Sequence, residues 1–167
     1  MYRPLPLETH IRILCAYTKL HAGAEQALWE FAPDTEFVDV SKSDSAYFDL
    51  VREAWKCQET FLLVEHDIEI HKGVVESAKH CKQPWCVWPY MGHSQEEIWA
   101  LGCVKFGRRL MLAQPTLMDE VGEIQSDCAI PKRHWKRLDA RILVTLRAHG
   151  YAQPHVHESV KHHLFGV

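Results

Sequence analysis

The sequence predicts an α/β fold, a three-layer α/β/α sandwich around a mostly parallel central sheet, and three observations carry that expectation. Short apolar runs read as strands buried on both faces. They alternate with stretches of helical periodicity. The order strand, helix, strand, helix, strand over the first 70 residues requires crossover connections, which covers both faces of the sheet. With 167 residues, 47% of them hydrophobic and 10% aromatic, the chain has the size of one domain with a real core.

The elements follow in order. "IRILCAYTKL" is a buried first strand with a polar exit, and "AGAEQALWEFA" has amphipathic helical spacing. A second strand, "TEFVDV", runs into "SKSDS", whose Ser and Asp residues suit a helix N-terminus, and "SAYFDLVREAWKC" supplies that helix. "TFLLVEHDIEI" is the third strand. Beyond Gly73, "VVESAKHC" is a short helix, "WCVWPYM" a strand, and "WALGCVKF" another strand leading into "GRRLMLA". Residues 114–131 are acidic with little periodicity, which predicts a loop holding a short turn of helix, and long irregular loops in compact domains are usually functional. "KRHWKRLDARILVTLRAHG" is expected as one helix opened near Pro131 and ended at Gly150. The tail "YAQPHVHESVKHHLFGV" then carries His155, His157, His162 and His163.

The formal charge of −3 is unevenly placed. Residues 1–100 hold nine Lys or Arg against sixteen Asp or Glu, a net −7, and residues 101–167 hold ten against six, a net +4. A basic second half is able to face a polyanion. The prolines of "MYRPLPLETH" and the absence of any run near 18 apolar residues predict neither a signal peptide nor a membrane span, so a cytoplasmic protein is expected. Cys15, Cys57, Cys81, Cys86, Cys103 and Cys128 are scattered through apolar surroundings and read mostly as buried free thiols. Cys81 and Cys86, with His80 beside them, leave a structural zinc site open.

The chemistry concentrates at the end of the third strand. On a β-strand Glu65 and Asp67 share one face while His66 points oppositely. Two carboxylates at a strand end make an oxygen-rich site for Mg²⁺ or Mn²⁺, which in turn holds a diphosphate; the bland alternative is a solvated strand end. In a parallel sheet, Tyr17 and Thr18 after the first strand and Asp39, Ser41 and Asp44 after the second open on the same edge, where function gathers. Tyr17 is positioned there to stack a nucleobase or to pack as an ordinary core-edge residue. In the basic stretch, Lys132, Arg133, Lys136, Arg137 and Arg141 suit phosphates, and Trp135, Trp88 or Tyr90 a base or sugar, against the plain reading of a solvated helix face. Trp85, Trp88 and Trp99 read first as core residues, since large aromatics fill cores routinely.

A first strand with a polar exit, the "DxSxxD" turn in "VDVSKSD" and an acidic triplet "EHD" closing the third strand resemble a compact GT-A glycosyltransferase domain, of the look of phage-type enzymes that glycosylate modified DNA bases. The resemblance spans most of the chain as a single domain, with residues 1–73 as the nucleotide and metal half and 74–167 as the acceptor half. It implies transfer of a sugar from a nucleotide diphosphate sugar, expected to be a UDP-sugar, to a hydroxyl acceptor such as a hydroxymethylated base in DNA. By that likeness Asp67 binds the metal, Glu65 contacts the ribose or the metal shell, Asp39 and Asp44 contact the base, and a histidine near the C-terminus completes the shell, with His157 preferred over His155. An imidazole in the shell favours Mn²⁺ over Mg²⁺. Asp139, Asp119, Glu120 and Asp127 are all candidates for a general base. The triplet departs from the family in opening with Glu, and the segment before it is short. Two rival functions stay open: a metal-dependent phosphohydrolase or nucleotidyltransferase using the same acidic cluster with the C-terminal histidines, and a non-enzymatic zinc-stabilised binding module on Cys81, Cys86 and nearby histidines.

Overall fold

The computed structural model describes residues 10–123 and 130–164. The apolar runs form strands β1 (Arg12–Tyr17), β2 (Glu36–Asp39), β3 (Phe61–Glu65), β5 (Trp85–Val87) and β8 (Cys103–Phe106). With β9 (His155–Val156) they make one six-stranded sheet in the order β2-β1-β3-β8-β5-β9. Each neighbouring pair is parallel except those involving β8, so five strands point one way and β8 runs against them. The expected α/β/α sandwich with a mostly parallel sheet is what the chain forms.

The layers follow from the period of two. Leu14, Ala16, Phe61, Leu63, Trp85, Val87, Val104 and Phe106 face one side, against α2 (Ala46–Cys57), α4 (Arg108–Ala113), α5 (Leu117–Glu123) and α6 (Leu138–Ala148). Ile13, Cys15, Leu62, Val64, Cys86 and Cys103 face the other, against α1 (Ala22–Phe31) and α3 (Lys72–His80). Fully burying a side chain such as Leu14, Leu28 or Phe48 contributes roughly 1.5–3 kcal/mol, so the two faces together supply most of the drive to fold.

Several elements differ from the expectation. The helix does not open near Pro131: His134 caps a 3-10 turn over Trp135–Arg137, accepting from the Lys136 amide, and α6 begins only at Leu138. The physical reason is the apolar series Leu138, Ile142 and Leu146 at i, i+4 and i+8, all buried; residues 132–137 offer the core nothing comparable. The acidic stretch after Gln114 holds the two-turn helix α5 rather than a single turn. The third strand stops at Glu65, with His66 and Asp67 in a turn before the two-residue strand β4 (Ile68–Glu69). β6 (Tyr90–Met91) and β7 (Glu97–Ile98) form a small hairpin, and the tail returns as β10 (Lys161–His162), antiparallel to β4. Of the cysteines, Cys15, Cys86 and Cys103 are buried as expected, whereas Cys57 is exposed and Cys81 half-buried; Cys128 lies outside the described residues. No helix among the described residues is long and apolar enough to cross a membrane.

Candidate functional site

Three parallel strands end together. Tyr17 is in register with Asp39, and Ala16 with Glu65, so the exits of β1, β2 and β3 form one rim at the carboxyl edge of the sheet. Tyr17 is half-buried and Thr18 exposed there. Asp39 turns one oxygen back on its own loop, accepting from the Ser41 amide and hydroxyl, and these bonds hold its carboxyl below the usual range. Asp44 is exposed and meets the basic segment: the Trp135 amide donates to its carbonyl, and His134 Nε2 stands 3.7 Å from its carboxylate. Trp135 is half exposed beside it, with Lys136 over its ring, while Arg133 lies over the ring of Phe48. Arg137 closes the same 3-10 turn.

Glu65 is the centre of this rim. The Tyr47 hydroxyl donates to its Oε1 at 2.8 Å. Burial pushes its carboxyl up to about 7, the Tyr47 bond pulls it down, Asp67 and Asp139 raise it further, and His162 opposes them. A buried acid that two neighbouring carboxylates raise further is a candidate for a cation site or an acid/base site. The same cluster, together with burial, raises the Tyr90 phenol.

Asp67 stands next to it in an unusual state. Its Oδ1 is buried without a hydrogen-bond partner, while its Oδ2 lies 3.1 Å from His162 Nε2. On its other side the His162 ring donates from Nδ1 to the Met91 carbonyl at 2.8 Å. That bond assigns the Nδ1 proton, leaving Nε2 aimed at the carboxylate, so two acceptor atoms face each other unless a proton or a metal ion lies between them. The tail is fastened by His163, whose amide donates to the Asp67 carbonyl and whose ring bonds Glu69 and stacks on His21 at 3.8 Å, and by the Lys161 bridge to Glu69.

The general-base candidates separate. Asp139 opens α6 beside the rim, close enough to act on Glu65, and is the charged residue in the lining of an apolar cavity of about 200 Å³ between Trp85, Trp99, Leu101, Val104 and Ile142. Glu120 is tied to His149 at 2.7 Å; His149 lies ten residues along α6 from Asp139, about 15 Å at the helical rise, so Glu120 belongs to the far end. Asp119 is exposed next to it on α5. Asp127 lies outside the described residues.

Other sequence-chosen residues are placed elsewhere. His157 is stacked on Trp88 and clustered with Cys81 and Cys86; it is His162 that the fold brings to Asp67. The reason is strand pairing: the amide of His157 bonds the Val87 carbonyl at the end of β5, and only five residues later does the tail reach β4. Trp88 is 1% exposed, with its indole nitrogen on Ser77, and so is closed to an acceptor. Tyr90 is buried against Gly102 and His162 rather than open to a ligand. Arg141 is buried on α6 and does not belong to the exposed basic face. Sequence reading missed Tyr47 and His162 as parts of the site, and no local pattern marks either one.

No protein-family model and no curated protein matches this sequence. Among solved structures the fold is similar to that of A197 from STIV, with a TM-score of 0.50 and 14% identity over 92% of this chain and 86% of that one. A weaker likeness, with a TM-score of 0.47 and 9% identity over 89% of this chain and 82% of the other, is to a glycosyltransferase involved in the glycosylation of the major capsid of PBCV-1. At 14% identity the likeness to A197 speaks for the fold alone: an α/β domain whose parallel strands end at a shared rim.

Proposed function

We propose that this chain is a metal-dependent glycosyltransferase that moves a sugar from a nucleotide diphosphate sugar, with UDP as the nucleotide, to a hydroxyl acceptor. The observation that carries the reading is the buried, unbonded Asp67 Oδ1 at the exit of β3, with His162 Nε2 against the other oxygen of the same carboxylate. An orphaned carboxylate oxygen beside an imidazole of assigned tautomer fits a divalent cation, and the mixed oxygen and nitrogen donors suit Mn²⁺ better than Mg²⁺. On this reading Asp67 and His162 hold the ion and Glu65 stands at its side. Bound there, Mn²⁺ supplies Lewis-acid neutralisation of the charge on a departing diphosphate.

The chain's own residues do the rest. Tyr47 orients the Glu65 carboxyl, and the Met91 carbonyl orients the His162 ring. Tyr17 and the Asp39 to Asp44 turn flank the rim where a base and ribose would lie. Asp139 is the carboxylate best placed to accept the proton of an acceptor hydroxyl if the reaction inverts. The exposed Trp135, with Arg133, Lys136 and Arg137 around it, suits a polyanionic acceptor, and DNA carrying a hydroxymethylated base is the acceptor class we favour.

The test is calorimetry of UDP with and without Mn²⁺ on the wild type, Asp67→Ala and His162→Ala. Binding that needs Mn²⁺ and is lost in both variants supports the reading; UDP binding unchanged in Asp67→Ala removes it. Product analysis with UDP-sugars separates the rival enzyme class, since free UDP marks glycosyl transfer or hydrolysis of the donor and UMP marks phosphohydrolysis.

A further inference from the structure

We propose that Cys81, Cys86 and His157 form a zinc site separate from the Glu65 and Asp67 carboxylates, fastening the C-terminal segment to the domain. Their ligand atoms all lie within 4.8 Å of one another. Zinc at bond lengths of about 2.3 Å to sulfur and about 2.0 Å to nitrogen sets tetrahedral ligand atoms roughly 3.5–3.8 Å apart, so closure asks for movements of only about 1 Å. The three ligands come from three elements: Cys81 caps the end of α3, Cys86 sits in β5, and His157 follows β9.

The surroundings favour a soft cation. His157 Nε2 is buried with no hydrogen-bond partner, which is costly for an imidazole unless something ligates it. Its ring is held flat against Trp88, centroids 4.6 Å apart, and its amide is pinned by Val87. Burial, with His155 and Lys105 nearby, holds the imidazole below its usual range. Lys105, in register with Cys86 and 3% exposed, donates to the carbonyls of Ala78 and Cys81. Burial and the neighbouring Cys81 push the Cys86 thiol up, and the Lys105 charge opposes them. Two sulfurs and one imidazole select zinc over the hard cations expected at Asp67. On the neighbouring edge strand, His155 is in register with Cys86 and its ring lies 4.6 Å from that of His157, so His155 or a water fills the fourth position.

Binding exchanges two thiol protons, released to solvent, for one Zn²⁺, and leaves the net charge of the site unchanged. The site lies five residues before His162 in the chain, so it anchors the segment that reaches Asp67. It does not depend on the glycosyltransferase reading.

Tag-free protein purified under reducing conditions is expected to carry about one zinc per chain by elemental analysis, lost together from a Cys81→Ser and Cys86→Ser variant and retained by Asp67→Ala. Cobalt substitution should give a thiolate charge-transfer band that His157→Ala shifts. Where the cysteine variants fail to fold, the wild type still decides: zinc should protect Cys81 and Cys86, but not the exposed Cys57, from alkylation read by mass spectrometry. Protein that holds no zinc after dialysis against it, zinc retained by the double serine variant, or equal alkylation with and without zinc overturns the proposal. So does a Cys81 to Cys86 disulfide formed in the presence of reductant and zinc.

Discussion

Replacing Glu65 by Gln removes a charge that the fold holds at a cost. The carboxyl sits at about 7 in the folded protein against an ordinary value of 4.5, a difference of 2.5. At about 1.36 kcal/mol for each pH unit this amounts to on the order of 3 kcal/mol. For an acid whose folded value is raised, the native state prefers the protonated form. The group therefore costs nothing below about 4.5, where both states are protonated, and destabilises the fold progressively as pH rises from there to about 7, with the full cost above. A glutamine keeps the Tyr47 bond, because its carbonyl oxygen accepts the same hydroxyl, and it has no charge to hide. Glu65→Gln should then match the wild type near pH 4.5 and exceed it at pH 8 by up to about 3 kcal/mol, roughly 2–4 °C of Tm per kcal/mol for a chain of this size. The assay is urea unfolding across pH 4.5 to 8.5 in chelator, repeated with Mn²⁺. Under the proposed function the added Mn²⁺ narrows the gap by stabilising the ionised wild-type carboxylate. A difference between variant and wild type that is independent of pH, or a variant less stable at pH 8, refutes the electrostatic account of the rim.

Other outcomes follow from the same geometry. In Mn²⁺ titrations monitored by UDP binding, His162→Ala should lose at least about tenfold in affinity, as expected for a metal ligand or the group that orients one, and His157→Ala, which loosens only the anchor upstream, should lose less; the reverse order would restore His157 to the site. Asp139→Asn should lower kcat for transfer by about 10²–10⁴ with donor binding unchanged if the carboxylate is the base of an inverting reaction; steady-state rates measured beside calorimetric affinities check it, and an unchanged kcat removes Asp139 from that role. Gly102→Ala puts a Cβ 2.5 Å from Tyr90 Cε1, and with Tyr90 packed on His162 the ring has little room to yield. A loss of about 1–3 kcal/mol in chemical denaturation is expected, with weaker Mn²⁺ binding. Phe48→Ala, deep in the face under α5 and beneath Arg133, should cost about 3–5 kcal/mol in the same measurement, and a cost under about 1 kcal/mol would contradict its place in the core.

The sandwich and its rim were legible in the order and spacing of the residues alone. The strand period placing Leu14 and Leu63 opposite Ile13 and Leu62, and the crossover order from β1 to β3, required parallel strands whose exits carry Tyr17, Asp39 and Glu65 to one edge. These are local signals, and local chemistry writes them into adjacent residues. Which distant groups meet there came from long-range packing. Asp67 and His162 are 95 residues apart and are joined by a two-residue strand pair that has no periodicity to read. His157 was drawn to Cys81 and Cys86 by the pairing of β9 with β5, and Trp88 was taken by the core, the more natural place for a large aromatic. The value of about 7 for Glu65 likewise comes from burial and from Asp67 and Asp139, and no run of residues encodes how much water a fold will exclude from a carboxylate.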